Sequence, residues 1–155
     1  MFRPDEEKKM RILGLDVGER RIGIALSDPE KVLAIPFTVI ERKGEQADFE
    51  AILKIAKEQE VEQIIIGIPR SLNGHLGWQA EKIAAFSAKL SQKTKIPIDT
   101  WDERLSTIAA EKALIEAGLK RNERKRHRDA LAAALILQSY LDYLRNAQDL
   151  GKTQE

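Results

Sequence analysis

Short apolar runs bounded by turn residues alternate along this chain with stretches of helical spacing. Arg11-Ile-Leu-Gly-Leu-Asp16 is a brief apolar run ending on a carboxylate, and Arg21-Ile-Gly-Ile-Ala-Leu26 follows after a tight connection containing Gly18. Two runs joined in this way read as a β-hairpin. Leu33 to Ile40 makes a third strand. Its Pro36 has no N–H to give a ladder, which predicts a sheet edge or an irregular entry. Gly44 then breaks the pattern.

From Glu45 to Glu58, Phe49, Ile52, Leu53 and Ala56 recur at helical spacing. Val61 to Ile68 holds Ile64-Ile65-Ile66 unbroken, the mark of a strand buried on both faces, as in a parallel arrangement. Residues 67–74 are rich in Gly, Pro and Asn and read as a loop. A second helix carries Ala80, Ile83, Ala84, Phe86 and Leu90. Ile96 to Trp101 is a short fifth strand leading into Asp102-Glu103-Arg104. Ser106 or Thr107 can cap a further helix that Gly118 ends. The last helix, from Asp129 to Leu141, is apolar on nearly every side, which predicts that it is largely buried. Its run Ala132 to Ala134 would let it lie close against a sheet. Three strands and then alternating helix and strand predict an α/β domain. Its mixed five-stranded sheet begins as an antiparallel meander and carries helices on both faces.

A length of 155 residues suits one domain with one sizeable core, expected over residues 10–146. Residues 1–9 read as a frayed polar leader and residues 147–155 as a polar C-terminal tail. There is no cysteine, so no disulfide framework or thiolate metal site, in keeping with a cytoplasmic protein. No apolar run approaches the roughly 20 residues of a membrane helix, and no membrane partner is expected. The leader also lacks the apolar core of a secretory signal. The net charge of +1 conceals an uneven distribution. Between Lys120 and Arg128, Lys120, Arg121, Arg124, Lys125, Arg126 and Arg128 are opposed only by Glu123. Such a patch attracts polyanions, although a charge run taken alone is more often a solvated helix end.

Asp16 ends the first strand, and in open α/β sheets functional groups gather beyond the carboxyl ends of strands. Asp102 and Glu103 follow the fifth strand at the same edge, and Asp129 begins the long apolar helix. Three acids from separate segments can thus converge. Clustered carboxylates raise one another's pKa unless a cation neutralises them. Oxygen ligands of this kind suit Mg²⁺ or Mn²⁺. Two such ions roughly 3.5–4 Å apart can activate a water and stabilise the leaving oxygen at a phosphodiester. No protein nucleophile is needed, which agrees with the absence of Cys and with only two histidines, His75 and His127. Each acid also has a plainer reading: Asp16 shaping a hairpin turn, Asp102 or Glu103 paired with Arg104 at the surface, Asp129 capping its helix. Consecutive strand residues point to opposite faces, so one of Asp102 and Glu103 reaches the site, and periodicity leaves open which. Asp28, before Pro29, reads as a turn residue.

Taken together, Ile12 to Gly18 with Arg21 to Ala25, Gly67-Ile68-Pro69 with Gly74, Asp102 to Thr107, and Asp129 with Ala132-Ala133 and Ile136-Leu137 form an ordered set of motifs. In order and spacing they resemble the YqgF (RuvX) family of pre-16S rRNA nucleases and Holliday-junction-resolvase-like proteins, over about residues 10–145. The resemblance implies a ribonuclease-H-like fold and a metal-dependent endonuclease. It places the catalytic, metal-binding triad at Asp16, Glu103 and Asp129, choosing Glu103 over Asp102. Ser106 stands where that family often has Thr and keeps the hydroxyl. The implied role is maturation of the 5′ end of precursor 16S rRNA, with resolution of branched DNA as the competing assignment. Precursor rRNA or branched DNA, and precursor ribosomal particles, are the partners implied, for a monomer or a homodimer.

If Asp129 is in the site, Arg124, Lys125, Arg126 and Arg128 sit beside the scissile phosphate and position the backbone without reading sequence. Arg70, Ser71 and Asn73 in the glycine loop are further candidates for phosphate contact, and Arg104 either pairs with the acids or touches phosphate. Trp78 and Trp101 could stack on bases, though core or rim is the commoner fate of such residues. Two other classes compete. Leu15-Asp16-Val17-Gly18 also resembles the first phosphate loop of actin-like ATPases and sugar kinases, but that fold needs two lobes. A non-catalytic RNA-binding ribosome-assembly module would keep the fold without turnover, and the intact acids argue against it.

Overall fold

Alternate residues of the first strand go to opposite faces of a sheet that is covered on both sides. The computed structural model describes residues 10–69, 77–105, 112, 115–116 and 128–153. Its strands are β1 (Arg11–Val17), β2 (Arg21–Ser27), β3 (Ala34–Glu41), β4 (Val61–Ile68) and β5 (Ile98–Asp102), and its helices α1 (Glu45–Glu58), α2 (Trp78–Ser91) and α3 (Arg128–Thr153). The sheet order is β3-β2-β1-β4-β5. β1 pairs antiparallel with β2, and β2 with β3, while β4 runs parallel to both β1 and β5. This is the mixed sheet predicted from the apolar pattern. Pro36 lies on edge strand β3, at a register shift opposite Ala25.

Leu13, Leu15 and Val17 join Ile22, Ile24, Ile64 and Ile66 under α1 and α2, where Phe49, Ile52, Ile83, Phe86 and Leu90 meet them. Ile12, Ala25 and Ile65 face the other way, onto Ala133, Ala134, Ile136, Leu137 and Leu141 of α3. Ile64, Ile65 and Ile66 are all fully buried, so β4 is the strand covered on both faces that its unbroken apolar run implied. Each such side chain contributes roughly 1.5–3 kcal/mol of burial free energy.

Polar anchors fix the helices. Gln138, buried in α3, accepts from the Ala34 N–H at 2.9 Å and donates to the Val32 carbonyl at 3.0 Å. Trp101 donates its indole N–H to Ser139 Oγ at 2.9 Å. Across the sheet, buried Asp48 accepts from Arg42 Nε and from the Lys43 N–H, both at 3.0 Å. Arg42 also donates to the Gly18 carbonyl at 3.0 Å, tying the start of α1 to the β1–β2 turn. Asp28 is the turn residue expected, accepting from the N–H groups of Val32 and Leu33 at 2.8 Å.

The stretch of α3 from Asp129 to Leu141 is largely buried, as expected, with Ala130, Ala133, Ala134, Ile136, Leu137 and Leu141 inside and Leu131, Ala132 and Leu135 partly buried. The helix differs from the sequence expectation in running on to Thr153, through most of the segment expected as a polar tail. Among the described residues no helix is long and apolar enough to cross a membrane.

Candidate active site

Asp16 pairs across the hairpin with Gly23, so the two positions share a face of the sheet. That face is the one on which α3 begins. A Cβ added to Gly23 would overlap the backbone carbonyl of Asp129, so only glycine lets the first turn of α3 come this close to β2. Asp129 is thereby delivered next to Asp16. A similar approach occurs on β4. A side chain at Gly67 would run into Ile136 of α3, and its Cβ would lie 3.1 Å from Glu103 Oε1. Glu103 opens a single 3-10 turn directly after β5 and projects to this same side. Leu15 is level with Ile66, which sets Asp16 beside Gly67 and brings β1, β4 and the end of β5 to one edge.

Asp102 goes elsewhere. Arg104 clasps it, with Nη2 at 2.6 Å and Nε at 3.0 Å from its Oδ2. Of the two neighbouring acids, the one implied by the family resemblance is on the α3 side, and the other holds the Arg104 guanidinium.

Asp16 is repelled by both of the other acids. Burial raises the Asp16 carboxyl above its ordinary range, and the charge of Asp129 raises it further. Burial, then Asp16, then Asp102 push Glu103 up to about 7. Neither Asp16 nor Glu103 has a hydrogen bond or a counter-ion among the described residues. Half-buried carboxylates normally have partners, and leaving them without any is costly. A hard cation supplies that need, so the donor set fits Mg²⁺ or Mn²⁺ in chemistry. In spacing the acids stand apart: among the described residues no three Asp, Glu, His or Cys side chains are gathered closely enough to hold a metal ion.

Glu103 carries a pH consequence. Its folded-state value of about 7 exceeds the ordinary 4.5, so between these the native chain keeps a proton that the unfolded chain has lost. Metal-free protein is therefore expected to lose stability as pH rises through that window. Thermal midpoints in chelator should fall across it, and Glu103→Gln should flatten the fall. An unchanged slope in the variant would assign the effect to other groups.

An open depression of about 490 Å³ is lined by Asp16, Gly18, Glu19, Arg20, Arg21 and Asp129. Arg21 Nη1 stands 3.9 Å from Asp129 Oδ2, and its Nε stands 3.8 Å from Glu41. Arg20 and Arg21 were not among the substrate contacts expected from sequence. The available signal was their place where the chain turns from β1 into β2, a few residues after Asp16. Of the contacts that were expected, Arg70, Asn73, Arg124, Lys125 and Arg126 lie outside the described residues. Arg128 is described only as the first residue of α3. Trp101 is a packing residue, edge-on to Tyr140 at 5.2 Å, whereas Trp78 is 67% exposed.

The RuvX family profile, described as Holliday junction resolvase, matches residues 10–143. A protein of Desulforamulus reducens named "Putative pre-16S rRNA nuclease" is 50% identical over 133 residues, covering 86% of this chain and 97% of that one. One of the same name from Clostridium botulinum is 50% identical over 135 residues, covering 87% and 98%. Among solved structures, RuvC of T. thermophilus in complex with Holliday junction substrate superposes with a TM-score of 0.65 at 16% identity, covering 89% of this chain and 96% of that one. The fowlpox virus resolvase with its junction DNA gives 0.51 at 11% identity, covering 87% and 99%. The two structures share the ribonuclease-H-like fold with this sheet and its helices. With 50% identity over a stretch that covers 86% of the chain and 97% of its relative, and the family's profile matched from β1 into α3, this chain belongs to the RuvX family.

Proposed function

We propose that this protein is an endonuclease that hydrolyses phosphodiester bonds in precursor 16S rRNA, with Mg²⁺ or Mn²⁺ held by Asp16, Glu103 and Asp129. The observation that carries the reading is the unpartnered, mutually repelling pair Asp16 and Glu103 at the strand edge, with Asp129 delivered beside Asp16 by Gly23. The choice of RNA follows the name borne by relatives that are half identical to this chain.

Asp16 lies electrostatically between the other two acids and is the shared ligand of the set. Bound metal would generate the attacking hydroxide and offset charge on the leaving oxygen, in the two-ion manner. The chain's own part is to hold the acids on three separate elements and to supply cations for the backbone. Arg20 and Arg21 line the depression for this purpose. Arg124, Lys125, Arg126 and Arg128 precede Asp129 in the chain and clamp the flanking phosphates, with Arg70 and Asn73 contributing from the glycine loop. Arg104 acts by holding Asp102 away from the metal.

The family description favours a second reading, symmetric cutting of a four-way DNA junction by two copies of the chain. The test sets precursor 16S rRNA and a four-way junction side by side. Expected is RNA cleavage with Mg²⁺ or Mn²⁺ that stops in chelator and returns when metal is restored. Cleavage of the junction alone would move the protein to the second reading. No cleavage of either, or cleavage that persists in chelator, would refute both.

A further inference from the structure

A second groove, of about 570 Å³, continues from the acidic depression, with Gly18 and Glu19 lining both. Arg42, Trp78, Lys82 and Phe86 are among its other walls. Trp78 opens α2 and is 67% exposed, more than any other large apolar side chain described. The packing of α2 does not need it, because Ala80, Ile83, Phe86 and Leu90 make the core contacts. An indole left in water at a groove wall is a surface, not a core element. Lys82, one turn on, lays its ammonium 3.5 Å from the ring centroid and steadies the indole.

We propose that this groove is a stacking subsite for an unpaired nucleotide flanking the cleaved bond, with Trp78 as its platform. The location rests on the nuclease reading above; the stacking itself does not. The groove falls in the size range of small-ligand sites. Its wall is rigid, since Arg42 lies 5.4 Å over the Phe86 ring and is held by Asp48 and the Gly18 carbonyl. Its charge also suits a nucleotide. Arg42 is committed to Asp48, and Lys89 to Glu45 at 3.0 Å, while Lys82 has no acidic partner among the described residues and is left for a phosphate. Glu19, between the two depressions, repels a backbone at that point and turns it toward Lys82. Stacking on an indole accepts any base but requires an exposed base face, which a continuous duplex does not offer. The subsite therefore selects a single-stranded flank.

The test is binding of a short single-stranded RNA and of the matching blunt duplex in chelator, read by tryptophan fluorescence and anisotropy. Single strand should quench the emission of Trp78. Trp78→Ala should weaken single-strand binding roughly ten-fold, the scale of one stacked base. Trp78→Phe should recover most of the loss, and duplex binding should change less than about two-fold. On a cleavable precursor, Trp78→Ala should raise KM while kcat changes little. Unchanged single-strand binding in Trp78→Ala, or equal loss for duplex and single strand, would overturn the subsite. If the wild type cleaves and Trp78→Ala keeps its KM, the subsite falls and the nuclease reading stands. If the wild type cleaves nothing while the Trp78-dependent binding persists, the reverse holds.

Discussion

Asp16→Asn is expected to lower cleavage by about 10³-fold or more, the scale of removing one member of a catalytic set, while leaving the fold in place. The substitution keeps the shape of the side chain and removes its charge. Asp16 is the acid that both others act upon or feel, since its pKa is raised by Asp129 and it raises that of Glu103. Without it, Glu103 and Asp129 have no common neighbour at the strand edge. Stability moves the opposite way. Asp16 is half-buried and repelled, so a neutral amide relieves the metal-free fold, and the variant should melt no lower than the wild type in chelator. Added Mg²⁺ then separates the two proteins. Metal that binds only the folded state stabilises it by about 2.7 kcal/mol at a hundred times its Kd, or roughly 5–10 °C for a chain of this size. The wild type should show that rise and Asp16→Asn should not. Equal metal-dependent melting in both would remove Asp16 from the binding set, and undiminished cleavage by Asp16→Asn would remove it from the chemistry.

Asp16 was legible in the sequence because a carboxylate ending an apolar run is a local pattern, and the element that carries it is equally local. Ile64-Ile65-Ile66 announced a strand covered on both faces, and Pro36 announced the edge, because each is a property of a few consecutive residues. Choosing between Asp102 and Glu103 was different in kind. Alternation said that one of the pair faces the site, but the strand end passes into a 3-10 turn, and the Arg104 clasp on Asp102 is what separates them. Family resemblance supplied the choice where periodicity did not. Arg21 escaped because its relevance depends on where α3 begins, more than a hundred residues further along the chain. The burial of α3 was legible for the local reason: all-round apolarity from Asp129 to Leu141 predicted that it is largely buried, and most of that stretch is inside.

Gly23 is the residue whose replacement should damage both fold and site. Gly23→Ala is expected to cost about 3 kcal/mol, the upper range for overpacking, or roughly 6–12 °C of melting temperature. The added methyl would overlap the Asp129 carbonyl and sit 3.0 Å from the Ala130 nitrogen. Both are backbone atoms, so no rotamer change relieves the contact. The start of α3 must lift off β2. Further along α3, Ala133, Ala134 and Leu137 remain pressed on the sheet, and Gln138 remains bonded to Ala34. The displacement is therefore greatest at Asp129, the acid that Gly23 delivers. Cleavage should then fall well beyond the loss of folded protein, even at temperatures where the variant is fully native by circular dichroism. Gly77→Ala is the control, because a Cβ there meets nothing within 4 Å and the backbone is extended. It should cost no more than about 1 kcal/mol, because Ala is a poorer N-cap for α2 than Gly but meets no clash. A Gly23→Ala protein that melts with the wild type would mean that α3 does not rest on β2 as described, and with it would go the placement of Asp129 beside Asp16.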